Sequence, residues 1–153
     1  MLSDAEYMRI ALEEAEAAFE ENEVPVGAII VLNGQIIGRG HNHREERHDI
    51  SSHAEIEALK DAAGHLGRWD LSGATLYVTL EPCLMCSGAI IQSRISRLVF
   101  GADDPDRGAV VSKVLAFEHF KGDSDPLISR GILEKESKDL LKRFFSKKRE
   151  ENK

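Results

Sequence analysis

Cysteine is nearly absent from this chain, with two in 153 residues. Two thiols make no disulfide framework, which excludes the small secreted scaffolds that depend on one. Long apolar runs are missing too. The longest, Ala28 to Leu32, falls far short of the ~20 residues that a membrane helix needs. The first residues are acidic and helical in pattern, unlike a secretory leader. Aromatic residues make up 6%, with one Trp, and there is no internal repeat, linker or low-complexity stretch. These absences predict a soluble, cytoplasmic protein with no membrane partner, and the length predicts a single domain over 1–153. Cationic residues are also short, at 20 Lys and Arg against 27 Asp and Glu, for a net charge of −7. The deficit is uneven. Lys135 to Lys153 carries eight basic and four acidic residues, so this segment is the candidate for gripping a phosphate backbone.

Periodicity gives alternating elements. Ser3 and Glu6 form a capping-box pattern, followed by Met8, Ala11, Leu12, Ala15 and Phe19 at helical spacing, and Pro25 ends that region. Val26–Leu32 and Gln35–His41 read as strands joined by Asn33-Gly34, a strong hairpin signal. Asn42–Ser52 reads as a polar loop, Ala54–Ala63 as a helix, and Thr75–Thr79 as a buried strand. Cys83–Gln92 is expected to be helical and Arg97–Phe100 a strand. A short helix near Val111–Phe120, a strand near Leu127–Leu133 and a final helix over Lys138–Arg149 complete the pattern. Helices following strands at this spacing imply an α/β/α layered domain on a five-stranded mixed sheet.

The chemistry sits in two short motifs, His53-Ala54-Glu55 and Pro82-Cys83-Leu84-Met85-Cys86. One imidazole and two thiolates roughly cancel a dication. Three protein ligands on a tetrahedral Zn2+, one per chain, leave the fourth position for water, whose pKa falls from ~15.7 toward ~7. Glu55 is then the carboxylate left over to move protons. Pro82 suits the first turn of a helix, so Cys83 and Cys86 would share one face near a terminus that favours thiolate. His53 and Glu55, two apart, converge only in the first turn of theirs. Two helix N-termini facing one metal are therefore expected.

Other readings use the same residues. A lone Cys-x-x-Cys can be a redox pair, although that motif needs no His-x-Glu upstream. A purely structural zinc would require a fourth ligand from His41, His43, His48, His65 or His119. Four of these lie in polar stretches and read as exposed, whereas His41 ends a strand and reads as structural.

His-x-Glu with Pro-Cys-x-x-Cys resembles the zinc nucleoside and nucleobase deaminases, a superfamily with this signature. The likeness extends through Glu23-Val-Pro-Val-Gly-Ala, Gly40-His-Asn42, Leu76-Tyr-Val-Thr-Leu-Glu-Pro-Cys83, Ser93-Arg-Ile and Val99-Phe-Gly-Ala, which look like the bacterial tRNA-specific adenosine deaminases. The resemblance implies a cytidine-deaminase-like fold, zinc on His53, Cys83 and Cys86, and Glu55 as the catalytic acid–base. It also implies conversion of a tRNA wobble adenosine to inosine, with an anticodon stem-loop as partner, and a homodimer. By the same likeness Asn42 would hold base or sugar, Pro25 and Val26 would line the base pocket, and Ala54 would touch the base. Glu81 and Pro82 would offer backbone groups to the exocyclic amine, Asp104 would contact flanking nucleotides, and Phe145 with Phe144 would stack or wedge a base.

Each residue also has a plain structural reading: Asn42 or Asp104 as a turn residue, Val26 as core, one of the phenylalanines as packing. Departures from the family pattern are visible as well. The Asn-His pair before the last strand is missing from Phe117–Asp125, and Ser146 follows the phenylalanines. The alternative activity is deamination of a free nucleobase or nucleoside such as guanine, cytosine or adenosine. A catalytically silent zinc module is the third reading, but it has no use for Glu55.

Overall fold

A computed structural model describes residues 1–121 and 125–152. Residues 122–124, inside the segment where the Asn-His pair is missing, lie outside the described residues. Five strands form one sheet in the order β2-β1-β3-β4-β5. They are β1 (Gly27–Leu32), β2 (Gln35–His41), β3 (Thr75–Leu80), β4 (Arg97–Ala102) and β5 (Leu127–Ser129). β1 pairs antiparallel with β2 and β3, while β3–β4 and β4–β5 are parallel. The sheet is therefore mixed, as expected.

The helices are α1 (Asp4–Glu20), α2 (Arg44–Arg47), α3 (Ala54–Leu66), α4 (Leu84–Gln92), α5 (Ala116–His119) and α6 (Glu134–Glu151). Alternate strand residues face opposite layers. Ala28, Ile30, Leu76, Val78, Leu98 and Phe100 pack with Ala58, Ala62, Ile90 and Ile91 of α3 and α4. Ile29, Val31, Tyr77 and Val99 turn the other way, onto Tyr7, Met8 and Ala11 of α1. The result is the three-layer α/β/α domain that the sequence predicts.

Local signals are realised where backbone chemistry demands them. Ser3 and Glu6 exchange both capping bonds. Asn33 and Gly34 both have positive φ, 51° and 78°, as a two-residue hairpin requires. Other boundaries move. The polar loop contains the four-residue α2, and β5 stops at Ser129. The expected helix near Val111–Phe120 shrinks to α5. Val110, Val111 and Ser112 donate their backbone N–H groups to the Glu81 carboxylate, so these amides are not spent on helical bonding.

β2 meets α3 through glycine. A Cβ on Gly40 would stand 2.6 Å from the Ala54 carbonyl oxygen and 2.6 Å from the Ala58 nitrogen. Gly40→Ala is expected to push α3 off the sheet at the overpacking cost of about 1–3 kcal/mol. At about 2–4 °C per kcal/mol for a domain of this size, thermal melting should start several degrees lower. Gly64→Ala, in the same helix but with nothing near its Cβ, should be neutral or stabilising by up to about 1 kcal/mol. Equal melting temperatures for the two variants would contradict the close approach.

Candidate active site

Two helix beginnings meet at the carboxyl end of β3. His53 is the N-cap of α3 and Cys83 the N-cap of α4, both with extended backbone, and neither side chain caps its own helix. Both are thus free to point outward along the helix axes. Pro82 precedes the cap rather than opening the first turn. Cys86 is the third residue of α4, so Cys83 and Cys86 occupy the two positions that face each other in a capping box. His53 Nδ1 lies 3.6 Å from Cys83 Sγ and 3.5 Å from Cys86 Sγ. Bonds of ~2.0 Å to nitrogen and ~2.3 Å to sulfur at tetrahedral angles set N and S about 3.5 Å apart. The donor set therefore fits zinc in both chemistry and spacing, and no fourth protein donor joins it among the described residues.

The protonation pattern suits the same use. The hydrogen bond from Cys86 brings Cys83 down to about 4, while that same bond and burial push Cys86 up. The contact with Cys83 raises His53 against the opposing effect of burial. A dication bound here would release the proton that the two sulfurs share. Glu55 is the second residue of α3 and only 4% exposed. Burial pushes its carboxyl up to about 7, so it can both hold and release a proton near neutrality.

The cluster lies in a cavity of about 470 Å³ that opens to solvent. Val26, Asn42, Ala54, Glu81, Asp104 and Phe145 line it together with His53, Glu55 and Cys83. Pro25 and Pro82 are buried and are not among its lining, and the Pro82 carbonyl already accepts from Ala109 N–H. The two phenylalanines divide their roles. Phe144 is buried, edge-on to Phe19 of α1, whereas Phe145 is 45% exposed at the cavity. Asn42 donates to the Val24 carbonyl and accepts from Arg44 N–H.

The MafB19-like deaminase model matches residues 2–149. The tRNA-specific adenosine deaminase of Bacillus subtilis (strain 168) is 44% identical over 100% of this chain and 95% of its own length. That of Agrobacterium fabrum is 45% identical over 97% and 98%. The chain belongs to the tRNA-specific adenosine deaminase family. Among solved structures, this deaminase superposes with TM-score 0.85 and 45% identity on a chain from a study of A-to-I editing by tRNA:A34 deaminases at the wobble position of transfer RNA, covering 88% of this chain and 98% of that one. A guanine deaminase from Nitrosomonas europaea, TM-score 0.83 at 24% identity over 94% and 85%, shares the fold.

Two carboxylates that the motifs do not single out as clamps shape the mouth of the deaminase cavity. Glu81 is buried directly after β3 and accepts from the backbone N–H groups of Asp104, Val110, Val111 and Ser112 and from the Ser112 hydroxyl. Burial alone would raise its pKa, but these bonds hold it below the usual carboxylate range. Its side chain thus fixes the loop that carries Asp103 to Arg107 along the cavity. Glu23, also buried, accepts from Glu45 and Glu46 N–H and anchors α2. For Glu81 the available signal was a lone acid after an apolar strand, Val-Thr-Leu-Glu81-Pro, whereas Glu23 closes the acidic stretch Glu20-Glu21-Asn22-Glu23 and nothing local marks it. Arg44, Asp106, Arg107 and Leu141 also line the cavity, and nothing in their local sequence marks them. His43, expected to be exposed, is largely buried between β2 and α1, with its Nδ1 left without a partner.

Proposed function

We propose that this enzyme deaminates the wobble adenosine of a tRNA anticodon to inosine, in the cytoplasm, as a zinc-dependent homodimer. The observation that carries the reading is a buried proton-transfer group, Glu55, beside a three-donor metal cluster at the floor of an open cavity. His53, Cys83 and Cys86 would hold the zinc, which when bound supplies a Lewis acid that makes water acidic enough to ionise near neutral pH. Glu55 takes one proton from the attacking water and passes it to the purine ring nitrogen. It then takes the second from the hydroxyl added to the ring carbon and passes it to the departing amine, so that one water is consumed, the carbonyl forms and ammonia leaves. Asn42 and Val26 hold the base, and the amides fixed by Glu81 keep the cavity wall in place.

A base can reach this floor only if it is flipped out of its stack. Phe145 offers an exposed aromatic face for that base or its neighbour. α6 also carries cationic groups: Lys142 follows the cavity-lining Leu141, while Arg143 and Lys147 stand over the Phe19 ring of α1. α4 packs against α5, and the exposed Leu84, Met85, Leu115 and Phe120 around that junction favour burial against a second copy.

Ammonia release should be measured in parallel on an anticodon stem-loop, adenosine, adenine, guanine and cytosine. The stem-loop is expected to react far faster than any free base or nucleoside, with binding that weakens as salt rises. Phe145→Ala should weaken the stem-loop reaction by about the 1–3 kcal/mol of one base–aromatic stack and leave zinc content unchanged. Rapid turnover of a free base beside an inert stem-loop would replace this reading with nucleobase deamination.

A further inference from the structure

β2 leaves the sheet through His41-Asn42-His43. Along an extended segment alternate side chains point to opposite sides. Asn42 accordingly lines the cavity, while both imidazoles turn outward onto α1. His41 Nδ1 is 2.9 Å from Glu14 Oε1, and its Nε2 is 2.8 Å from Glu21 Oε2. His43 Nε2 approaches the same Glu21 oxygen at 3.5 Å. The two rings sit 4.3 Å apart, and each side chain is 15% exposed. One ligand atom each from Glu21, His41 and His43 lie within 4.8 Å of one another.

We propose that Glu21, His41 and His43 form a second site for a divalent transition metal, outside the catalytic cavity. Two imidazoles and one carboxylate suit Zn2+, Ni2+ or Co2+, with solvent completing the coordination sphere. Glu14 completes the design from behind. A ligating histidine characteristically donates its other ring N–H to a carboxylate, which fixes the tautomer and raises ligand basicity. With Nδ1–H donated to Glu14, His41 presents the Nε2 lone pair toward Glu21 and His43. His43 Nε2 makes only the long approach to Glu21 at 3.5 Å, and an ion between them would give that nitrogen a closer partner.

The competitor is a proton. Burial works against charge on His41, but its bonds to Glu14 and Glu21 outweigh this and raise its pKa. Arg39 also draws on the second oxygen of Glu14, at 3.4 Å. Metal and proton are thus alternative cations for the same four side chains. The ion would tie the end of α1 to the segment that carries Asn42, one residue from either imidazole. Occupancy therefore stiffens one wall of the cavity without touching its chemistry.

The test uses the untagged full-length protein, saturated with Zn2+ and in a separate series with Ni2+, freed of loose ions by gel filtration and assayed for metal per chain. Calorimetric titration gives the affinity. The expected result is one saturable ion per chain beyond those held elsewhere, lost in both His43→Ala and Glu21→Gln while the remaining metal content stays the same. Glu14→Gln should retain the site with about 10–100-fold weaker binding, the usual effect of removing a carboxylate behind a ligating histidine. Glu21 is exposed, so Glu21→Gln keeps the test decisive if His43→Ala fails to fold. No additional saturable ion, or the same uptake in Glu21→Gln as in the parent, would overturn the proposal.

Discussion

Glu55→Gln is expected to lower kcat by about 10³–10⁴-fold, at the upper end of general acid–base effects, with zinc still at one per chain. The upper end applies because one carboxylate serves every proton transfer in the reaction. It sits in the first turn of α3, 4% exposed and beside the metal donors, whereas Glu81, the other buried acid lining the cavity, is committed to four backbone amides and the Ser112 hydroxyl. Gln keeps the size and the hydrogen-bonding reach of Glu but neither takes nor gives a proton. Turnover on the stem-loop and metal content per chain are the two measurements. Loss of the zinc together with the activity would make Glu55 a ligand and undo the division of roles. A variant that retained more than about a tenth of parental kcat would place the proton transfers elsewhere.

The site was legible in the sequence because its parts are local. His-x-Glu and Pro-Cys-x-x-Cys each lie within one helix beginning, and the need for three donors to converge already implied two helix termini facing each other. The sheet was legible for a similar reason. Strand alternation and the Asn33-Gly34 turn are short-range codes, and the order of elements then restricts how they layer. What escaped is long-range. The Glu81 carboxylate reaches amides 23 to 31 residues away, and no window along the chain shows that those amides are already committed. That is why the segment before α5 reads as helix and folds as turns. α2 escaped for the same reason, since its first turn is held from outside by Glu23.

Charge was the least informative signal. A body poor in cations argued against RNA, yet the family is a tRNA-acting one. Net charge counts residues and not their placement. Part of the basic excess on α6 is also internal bookkeeping, since Lys138 pairs with Glu134, Lys135 with Asp139 and Lys148 with Glu151. Phe144 and Phe145 differ by one position and have opposite fates, because adjacent helical residues lie about 100° apart and only one can face α1.

Cys83→Ala is expected to empty the metal site and lower the melting temperature by about 5–10 °C. With one thiolate removed, only His53 and Cys86 remain, and two donors hold zinc far more weakly than three. An ion that binds the native state alone stabilises it by about 2.7 kcal/mol when free zinc is one hundred times Kd, and about 2–4 °C follows from each kcal/mol in a domain of this length. Cys83 is the better choice than Cys86 because it is partly exposed at the N-cap, whereas Cys86 is fully buried and its truncation would add a cavity. Chelation supplies the control. A strong chelator should bring the parent protein down to the melting temperature of Cys83→Ala and leave the variant unmoved. If the variant melts with the parent and retains a full complement of zinc, Cys83 is not a ligand. If chelation leaves the parent's melting unchanged while stripping its zinc, the two helix termini are held together by the surrounding core, and zinc serves chemistry alone.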